Sequence, residues 1–210
     1  MTRAIVTRDV AEAAAALRRG SLVVYPTETF YGLGALATLP PALERLGAAK
    51  LRPSGKPLPL VAADAAMAFA LWAGVPAEAR VLAGAFWPGP LTLVAAAAPG
   101  LPGPVTPGGT VGVRVPGSGL ARELCRLAGG PVISTSANPS GGPSPASVEA
   151  LDPDLLARVD LVLDGGSTPG GLPSTVVQVG EGGPRLVRAG AVPWEAVVAA
   201  LRSSLPSRDG

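Results

Sequence analysis

The chain has 210 residues, of which 48% are hydrophobic, and its formal net charge at neutral pH is only +2. This charge is too small to indicate strong nucleic-acid binding, and the absence of histidine excludes a Ser-His-Asp triad and most zinc sites. The single cysteine, Cys125, excludes an internal disulfide, and its leucine-rich helical surroundings predict a buried packing residue.

A chain of this length can bury one substantial core, so we expect one domain over residues 1–205 with a frayed tail over 206–210. Asp64 breaks the richest apolar stretch, and no run of about 18 apolar residues predicts a membrane span. The first six residues include an arginine but no apolar signal core. A cytoplasmic protein that does not enter the membrane is therefore expected.

Apolar runs of strand length alternate with segments of helical periodicity along the chain. The first run, 3–6, precedes the clearest helix, in which Asp9 can act as N-cap, Glu12 completes a capping box and Gly20 ends the helix. Further strands are predicted at residues 21–25, 58–62, 91–96, 111–115, 131–135, 160–164, 175–179 and 185–188. Further helices are predicted at residues 39–49, 64–72, 76–86, 118–128 and 193–204. The alternation predicts an α/β fold.

Proline and glycine number 24 and 28 residues, but they are concentrated between the predicted elements. The clusters lie at residues 52–57, 88–90, 99–109, 139–145 and 165–173. Because proline and glycine mark turns, these clusters predict loops rather than a low-complexity tract. We expect the loops to surround one site, and segment 139–145 is a candidate lid over it.

The segment at residues 25–34 follows a buried strand and places Thr27, Glu28, Thr29 and Tyr31 in a glycine-bounded loop. Side chains in such a loop can face a ligand, although an ordinary polar turn has the same composition. Its glycines match a dinucleotide-binding fingerprint but come about seven residues after the strand, and no P-loop sequence occurs. Neither a Rossmann site nor a P-loop is predicted.

Three cations lie close together in the next loop. Pro53 favours an extended Arg52, so the side chains of Lys50 and Arg52 project to the same side, and Lys56 lies just beyond. Converging arginine and lysine side chains suit phosphate, because arginine binds it with two hydrogen bonds and lysine as a point charge. A solvated basic loop is the alternative interpretation.

Neutral polar groups follow a later strand. Ser134, Ser136 and Asn138 alternate along the chain, so they can lie on one face and bind an adenylate or amino acid without charge. An exposed turn is again the alternative.

Arg114 and Arg188 lie within apolar runs, where each faces either solvent or a pocket. The segment that begins at Trp87 is interpreted as packing at a helix-to-strand corner.

Taken in order, these segments resemble the YrdC/TsaC family of threonylcarbamoyl-AMP synthases over about residues 5–190. The motifs that carry the resemblance are Y-P-T-E-T-x-Y-G-L-G at 25–34, K-x-R-P at 50–53, W-P-G-P-L-T at 87–92, V-x-V-R-x-P at 111–116, S-x-N-x-S-G at 136–141 and S-T-V-V at 174–177. The resemblance implies a twisted mixed β-sheet with flanking helices around a deep basic cavity.

The resemblance also implies roles for individual residues. The residues implied to bind L-threonine are Thr27, Arg114, Ser134 and Ser174. Those implied to bind ATP are Lys50, Arg52, Lys56, Thr110, Ser136, Asn138, Ser144 and Arg188. Lys50 and Arg52 are also the implied catalytic pair. One departure is visible: many relatives place a threonine-contacting histidine shortly after the K-x-R-P loop, where this chain has Val61.

The implied reaction joins L-threonine, bicarbonate or CO₂ and ATP into threonylcarbamoyl-AMP and pyrophosphate, for a tRNA modification. Positioning of the reactants and stabilisation of phosphate charge would supply the catalysis, so histidine is not required. Mg²⁺ is expected to enter with ATP, because the sequence shows no carboxylate-rich metal site. The implied protein partners are tRNA threonylcarbamoyl-transfer proteins.

Two alternatives remain at this stage. A related domain occurs in hydrogenase-maturation proteins, but this chain lacks the length and cysteines of the modules that accompany it there. The second alternative is a double-stranded RNA-binding or ribosome-associated module of the same fold. A net charge of +2 argues against it, because binding to a phosphate backbone depends on many basic contacts.

Overall fold

The structure is a computed structural model that describes residues 4–50, 58–139 and 142–204. Within these ranges the helices are α1 (Val10–Arg18), α2 (Pro40–Ala49), α3 (Ala65–Phe69), α4 (Ala77–Phe86), α5 (Gly119–Ala128), α6 (Pro153–Leu156) and α7 (Trp194–Ser204). The strands are β1 (Ile5–Thr7), β2 (Val23–Pro26), β3 (Tyr31–Gly34), β4 (Leu60–Val61), β5 (Leu91–Ala96), β6 (Thr110–Arg114), β7 (Val132–Ile133), β8 (Thr135–Ser136), β9 (Leu161–Leu163), β10 (Thr175–Gln178) and β11 (Arg185–Arg188).

The predicted α/β organisation is confirmed, and each predicted helix is present. Asp9 caps α1 as predicted, since its carboxylate accepts from the amides of Ala11 and Glu12. The amide of Asp9 donates to Thr7 Oγ1, and this hydrogen bond takes the place of the Glu12 contact expected in a capping box. The short helix α6 was not predicted. No helix in the described ranges has both the length and the hydropathy to span a membrane.

Two strands differ from the prediction. Residues 31–34 were expected in a loop, but they form the fully buried strand β3. Glycine is rare in strands, which hid this strand in the sequence; Gly34 is required because a Cβ there would lie 2.6 Å from the Tyr25 ring. The predicted strand 131–135 is divided into β7 and β8 at Ser134.

The strands form two mixed sheets, of five strands in the order β1-β9-β2-β3-β8 and of six in the order β11-β10-β5-β6-β4-β7. The resemblance had implied one sheet. In the first sheet β1, β9 and β2 are parallel, and β3 is antiparallel to both β2 and β8. In the second, β5 is parallel to β10 and antiparallel to β6. The sheets meet at Ser134, which joins β7 of one sheet to β8 of the other.

Helices α1 and α5 pack beside one another and cover the first sheet. Cys125 of α5 is fully buried there, and its thiol lies 3.5 Å from the carbonyl oxygen of Val61. The predicted packing role of Cys125 is confirmed. The packing role of Trp87 is confirmed as well, because its ring lies 6.0 Å from that of Phe69 and 6.4 Å from that of Trp72.

One end of the second sheet gathers polar side chains from four strands. The register pairs Leu91, at the start of β5, with Thr175, at the start of β10, and β6 runs antiparallel to β5. Thr92 and Arg114 therefore lie at the same end of the sheet.

Segment 173–175 passes so close to Gly190 that a Cβ at residue 190 would lie 2.3 Å from the Pro173 carbonyl oxygen.

We predict that Gly190→Ala lowers the free energy of unfolding by about 3 kcal/mol, the upper end of the usual cost of overpacking. The clashing atoms are backbone, which a side-chain rotation cannot move. The matched control is Gly47→Ala in α2, where a Cβ has open space; this change should raise the free energy by about 0.5–1 kcal/mol. Urea denaturation measures the free energy of unfolding of both variants, and equal changes from the wild type would contradict the prediction.

A second prediction concerns pH. Burial raises the pKa of the Cys125 thiol to about 12, above that of the unfolded chain, so only the unfolded state loses this proton as the pH rises above about 9. The wild type should therefore lose stability relative to Cys125→Ala by up to about 1.4 kcal/mol per pH unit. Urea denaturation of both proteins at pH 7–10.5 tests this. If the difference between their free energies of unfolding stays constant over that pH range, the prediction is contradicted.

Candidate active site

A cavity of about 460 Å³ opens between the ends of the two sheets. The first sheet and its β2–β3 turn supply hydroxyls and an amide, whereas the second sheet supplies two arginines, Arg114 and Arg188. These arginines are the charged side chains among the described residues that line the cavity. Two guanidiniums surrounded by neutral hydrogen-bonding groups form a suitable site for carboxylate or phosphate.

Arg114, the last residue of β6, is buried although it is charged. Its guanidinium donates a hydrogen bond to Oε1 of Glu28, which lies in the turn between β2 and β3. The two side chains form an ion pair that joins the second sheet to the first. A guanidinium has five N–H donors, so this contact leaves donors of Arg114 for a ligand in the cavity.

Arg188 and Ser174 form a second polar contact at the same end of the sheet. Nη2 of Arg188 donates to the Ser174 carbonyl at 2.7 Å and to Ser174 Oγ at 3.0 Å, and Ser174 Oγ lies 3.0 Å from Thr92 Oγ1. Desolvation and the nearby positive charge of Arg114 lower the pKa of the Arg188 guanidinium. An anion bound between the two arginines would relieve this repulsion.

Thr27 stabilises the turn that carries Glu28. Its hydroxyl donates to the Phe30 carbonyl at 2.8 Å and accepts from the amides of Thr29 at 3.2 Å and Phe30 at 3.3 Å. Threonine side chains commonly make such local bonds in turns. Thr27 therefore contributes to the cavity wall and also shapes the turn that positions Glu28.

Lys50, the C-terminal cap of α2, is buried behind the polar strand β8. Its ammonium donates to the Ser136 carbonyl, to Thr135 Oγ1 at 3.3 Å and to Asn138 Oδ1 at 3.4 Å. It is not among the residues that line the cavity. The observed contacts of Lys50 hold in place the segment that carries Ser136 and Asn138.

The candidate lid, segment 139–145, begins next to this platform. Ser136 Oγ donates to Asn138 Oδ1, and Asn138 Nδ2 donates to the Gly142 carbonyl, so the amide of Asn138 connects β8 to the segment. The Pro145 carbonyl accepts from the Tyr31 amide at 2.9 Å, which attaches the far end to β3. Residues 140 and 141 lie outside the described ranges, and closure of the segment remains a prediction.

Eight of the residues implied to bind threonine or ATP line this cavity: Thr27, Arg114, Ser134, Ser136, Asn138, Ser144, Ser174 and Arg188. Thr29 and Tyr31, named from the sequence as able to face a ligand, line it as well. Thr110 is not brought there. It begins β6, whereas Arg114 ends it, so the two residues are separated by about 13 Å of strand. Arg52 and Lys56 lie outside the described residues.

Several lining residues were not singled out from the sequence, and Thr92 is the clearest of them. It lies in the W-P-G-P-L-T segment, which was interpreted as packing, yet its hydroxyl contacts Ser174 at the cavity. A polar residue between two buried leucines of one strand was the available signal.

At the position where many relatives place a histidine, Val61 is fully buried beside Cys125, and Leu60 lines the cavity instead.

The model of the Sua5/YciO/YrdC family, described as telomere recombination, matches residues 15–190. The chain belongs to this family. It is 41% identical over 186 residues to the threonylcarbamoyl-AMP synthase of Pyrococcus abyssi (strain GE5 / Orsay). That alignment covers 88% of this chain and 55% of the relative. It is 39% identical over 205 residues to the threonylcarbamoyl-AMP synthase of Bacillus subtilis (strain 168). This second alignment covers 96% of this chain and 59% of the relative.

A solved structure of a family member agrees with this assignment. The crystal structure of P. abyssi Sua5 complexed with L-threonine matches with a TM-score of 0.89 and 38% identity, over 96% of this chain and 61% of that chain. The resemblance read from the motifs and the mixed α/β fold are thereby confirmed. The Sua5/YciO/YrdC chain described here spans less than two thirds of the length of these relatives.

We predict that Thr27→Val lowers the free energy of unfolding by about 1–3 kcal/mol, because it leaves two turn amides and a carbonyl without their hydroxyl partner. Thr27→Ser keeps the hydroxyl and should cost less, although it removes one methyl group. Chemical denaturation of the two variants provides the comparison. A valine variant as stable as the serine variant would show that the turn does not depend on the hydroxyl.

Proposed function

We propose that this family member is a threonylcarbamoyl-AMP synthase, an enzyme that makes threonylcarbamoyl-AMP and pyrophosphate from L-threonine, bicarbonate or CO₂ and ATP. The observation that carries the proposal is the pair of arginines, Arg114 and Arg188, facing one cavity whose other polar side chains are hydroxyls and an amide. One cation suits the carboxylate of an amino acid and the other a phosphate. The printed names of the relatives support the same reaction.

L-Threonine would bind at the Arg114 side of the cavity. The guanidinium of Arg114 would donate hydrogen bonds to the carboxylate, while Thr27, Ser134 and Ser174 would offer hydroxyls to the rest of the amino acid. Val61 cannot replace the histidine contact, because its side chain has no polar atom and is buried in the core. Threonine binding in this chain would therefore depend on arginine and hydroxyl contacts without a histidine.

ATP would bind along β8 and towards Arg188. Ser136, Asn138 and Ser144 line that part of the cavity, and Lys50 supports their segment from behind. Arg52 and Lys56 are proposed to complete the phosphate site. Mg²⁺ would enter as part of the nucleotide substrate, and the described residues contain no cluster of three or more metal-ligating side chains.

The chemistry would proceed by positioning. The amine nitrogen of threonine attacks the carbon of CO₂, derived from bicarbonate, and loses a proton to give a carbamate. A carbamate oxygen then attacks the α-phosphorus of ATP, and pyrophosphate leaves with the electron pair of the broken P–O bond. Guanidiniums in a partly desolvated cavity stabilise the charge that develops on the phosphates. The product would pass to tRNA threonylcarbamoyl-transfer proteins.

The test is pyrophosphate release from ATP and bicarbonate, measured with and without L-threonine. The wild type should release pyrophosphate only when threonine is present. Arg114→Ala should lose the response to threonine, and Arg188→Ala should raise the KM for ATP by roughly ten- to a hundredfold, as loss of a charged contact in a desolvated site does. Arg52→Ala should lose turnover if the implied phosphate site is present.

The matched control is Arg126→Ala. Arg126 is an exposed arginine of α5 whose ion pair with Glu123 lies on the same helix, so its loss should leave the kinetics unchanged. Absence of threonine-dependent pyrophosphate release in the wild type would overturn the proposal. RNA affinity that falls steeply with salt, together with no ATP consumption, would favour an RNA-binding module instead.

A further inference from the structure

Glu28 lies directly behind the arginine proposed to bind threonine. Its carboxylate and the Arg114 guanidinium form an ion pair whose side chains are only 17% and 8% exposed. Arg114 lines the cavity, whereas Glu28 is not among the lining residues. Glu28 thus contacts the cavity through Arg114 and not directly.

The environment of Glu28 is unusual for a carboxylate. Its Oε1 accepts from Arg114, but its Oε2 is buried and has no hydrogen-bond partner among the described residues. A buried oxygen of this kind normally costs stability, and a buried ion pair is often no more stable than an apolar replacement. Fold stability alone therefore does not account for a glutamate at this position.

The surrounding chain holds Glu28 in a defined place. The Thr27 hydroxyl closes the turn on which Glu28 lies, with a bond of 2.8 Å to the Phe30 carbonyl. On the other side, a Cβ at residue 117 would lie 3.3 Å from Cβ and Cγ of Glu28, so Gly117 leaves just the room that this side chain needs. These contacts fix where the carboxylate meets Arg114.

The neighbouring charges show what this contact can control. Arg114 and Arg188 are close enough that the charge of Arg114 lowers the pKa of Arg188. Without a carboxylate behind Arg114, both guanidiniums would be free to bind the most highly charged ligand available. In the proposed reaction that ligand is the triphosphate or pyrophosphate, which would compete with the singly charged carboxylate of an amino acid.

We propose that Glu28 is a positioning residue that directs Arg114 towards the carboxylate of the amino-acid substrate and keeps Arg114 from binding phosphate. The inference rests on the proposed function, since it names the ligands of that cavity. Glu28 partly neutralises Arg114 and fixes the direction of its remaining donors. A site with two adjacent arginines thereby keeps one for a carboxylate and one for phosphate.

The experiment compares Glu28→Gln, which keeps the shape of the side chain but removes its charge, with Glu28→Asp, which keeps the charge at a shorter reach. Kinetics of threonine-dependent pyrophosphate release yield KM for threonine and for ATP. Calorimetric titration yields the Kd of pyrophosphate alone. Glu28→Gln should raise KM for threonine roughly tenfold or more, with KM for ATP changed less than about twofold.

The second expected effect is a gain of affinity. Glu28→Gln should bind pyrophosphate roughly three- to tenfold more tightly than the wild type, because Arg114 becomes available to it. Glu28→Asp should bind pyrophosphate as the wild type does and have an intermediate KM for threonine. General damage to the fold would raise both KM values together and would not increase the affinity for pyrophosphate.

Glu123→Gln is the matched control, because Glu123 forms an exposed ion pair with Arg126 on α5 and should change neither ligand's affinity. An unchanged ratio of the two KM values in Glu28→Gln would overturn the inference. If that variant does not fold, an unchanged ratio in Glu28→Asp overturns it equally. A wild type that releases no pyrophosphate with threonine refutes the proposed function instead. In that case the pyrophosphate titration tests the role of Glu28 by itself. If Glu28→Gln then binds pyrophosphate no more tightly than the wild type, the inference is overturned.

Discussion

The passage of one chain segment between the two sheets is the constraint on which the site depends. β7 pairs with β4 in the second sheet, and β8 pairs with β3 in the first. Between them, the Ser134 amide donates to the Pro59 carbonyl at 2.8 Å, so the crossing point itself is hydrogen-bonded. Because Ile133 and Thr135 on either side of the crossing are buried and their backbone groups must find partners, the position of this segment is narrowly determined.

The cavity exists because this crossing brings together two different kinds of wall. The second sheet contributes Arg114 and Arg188 from strand ends, and the first contributes hydroxyls on β8 that Lys50 supports from behind. The Glu28–Arg114 ion pair connects the walls a second time. The cavity therefore combines two guanidiniums with neutral hydroxyl and amide groups, and a ligand with an anionic and a polar part can contact both.

Much of the fold could be predicted from local sequence. The N-cap at Asp9 and the apolar periodicity identified each long helix, because capping and burial act over a few residues. β3 was missed because its glycines are unfavourable in strands; the reason for Gly34 is the Tyr25 ring, which comes close to it only once β2 and β3 have paired. Segment 131–135 was read as one strand because nothing local marks a change of pairing partner at Ser134.

The sequence by itself determined the α/β class, the motifs that identify the family and most of the polar residues of the site. The tertiary structure alone decided which of them share a cavity. It placed Thr110 at the far end of β6, Lys50 behind β8 and Glu28 against Arg114. The physical reason is that residue type and spacing determine local conformation, whereas the contacts of a buried side chain depend on strands brought together by long-range pairing.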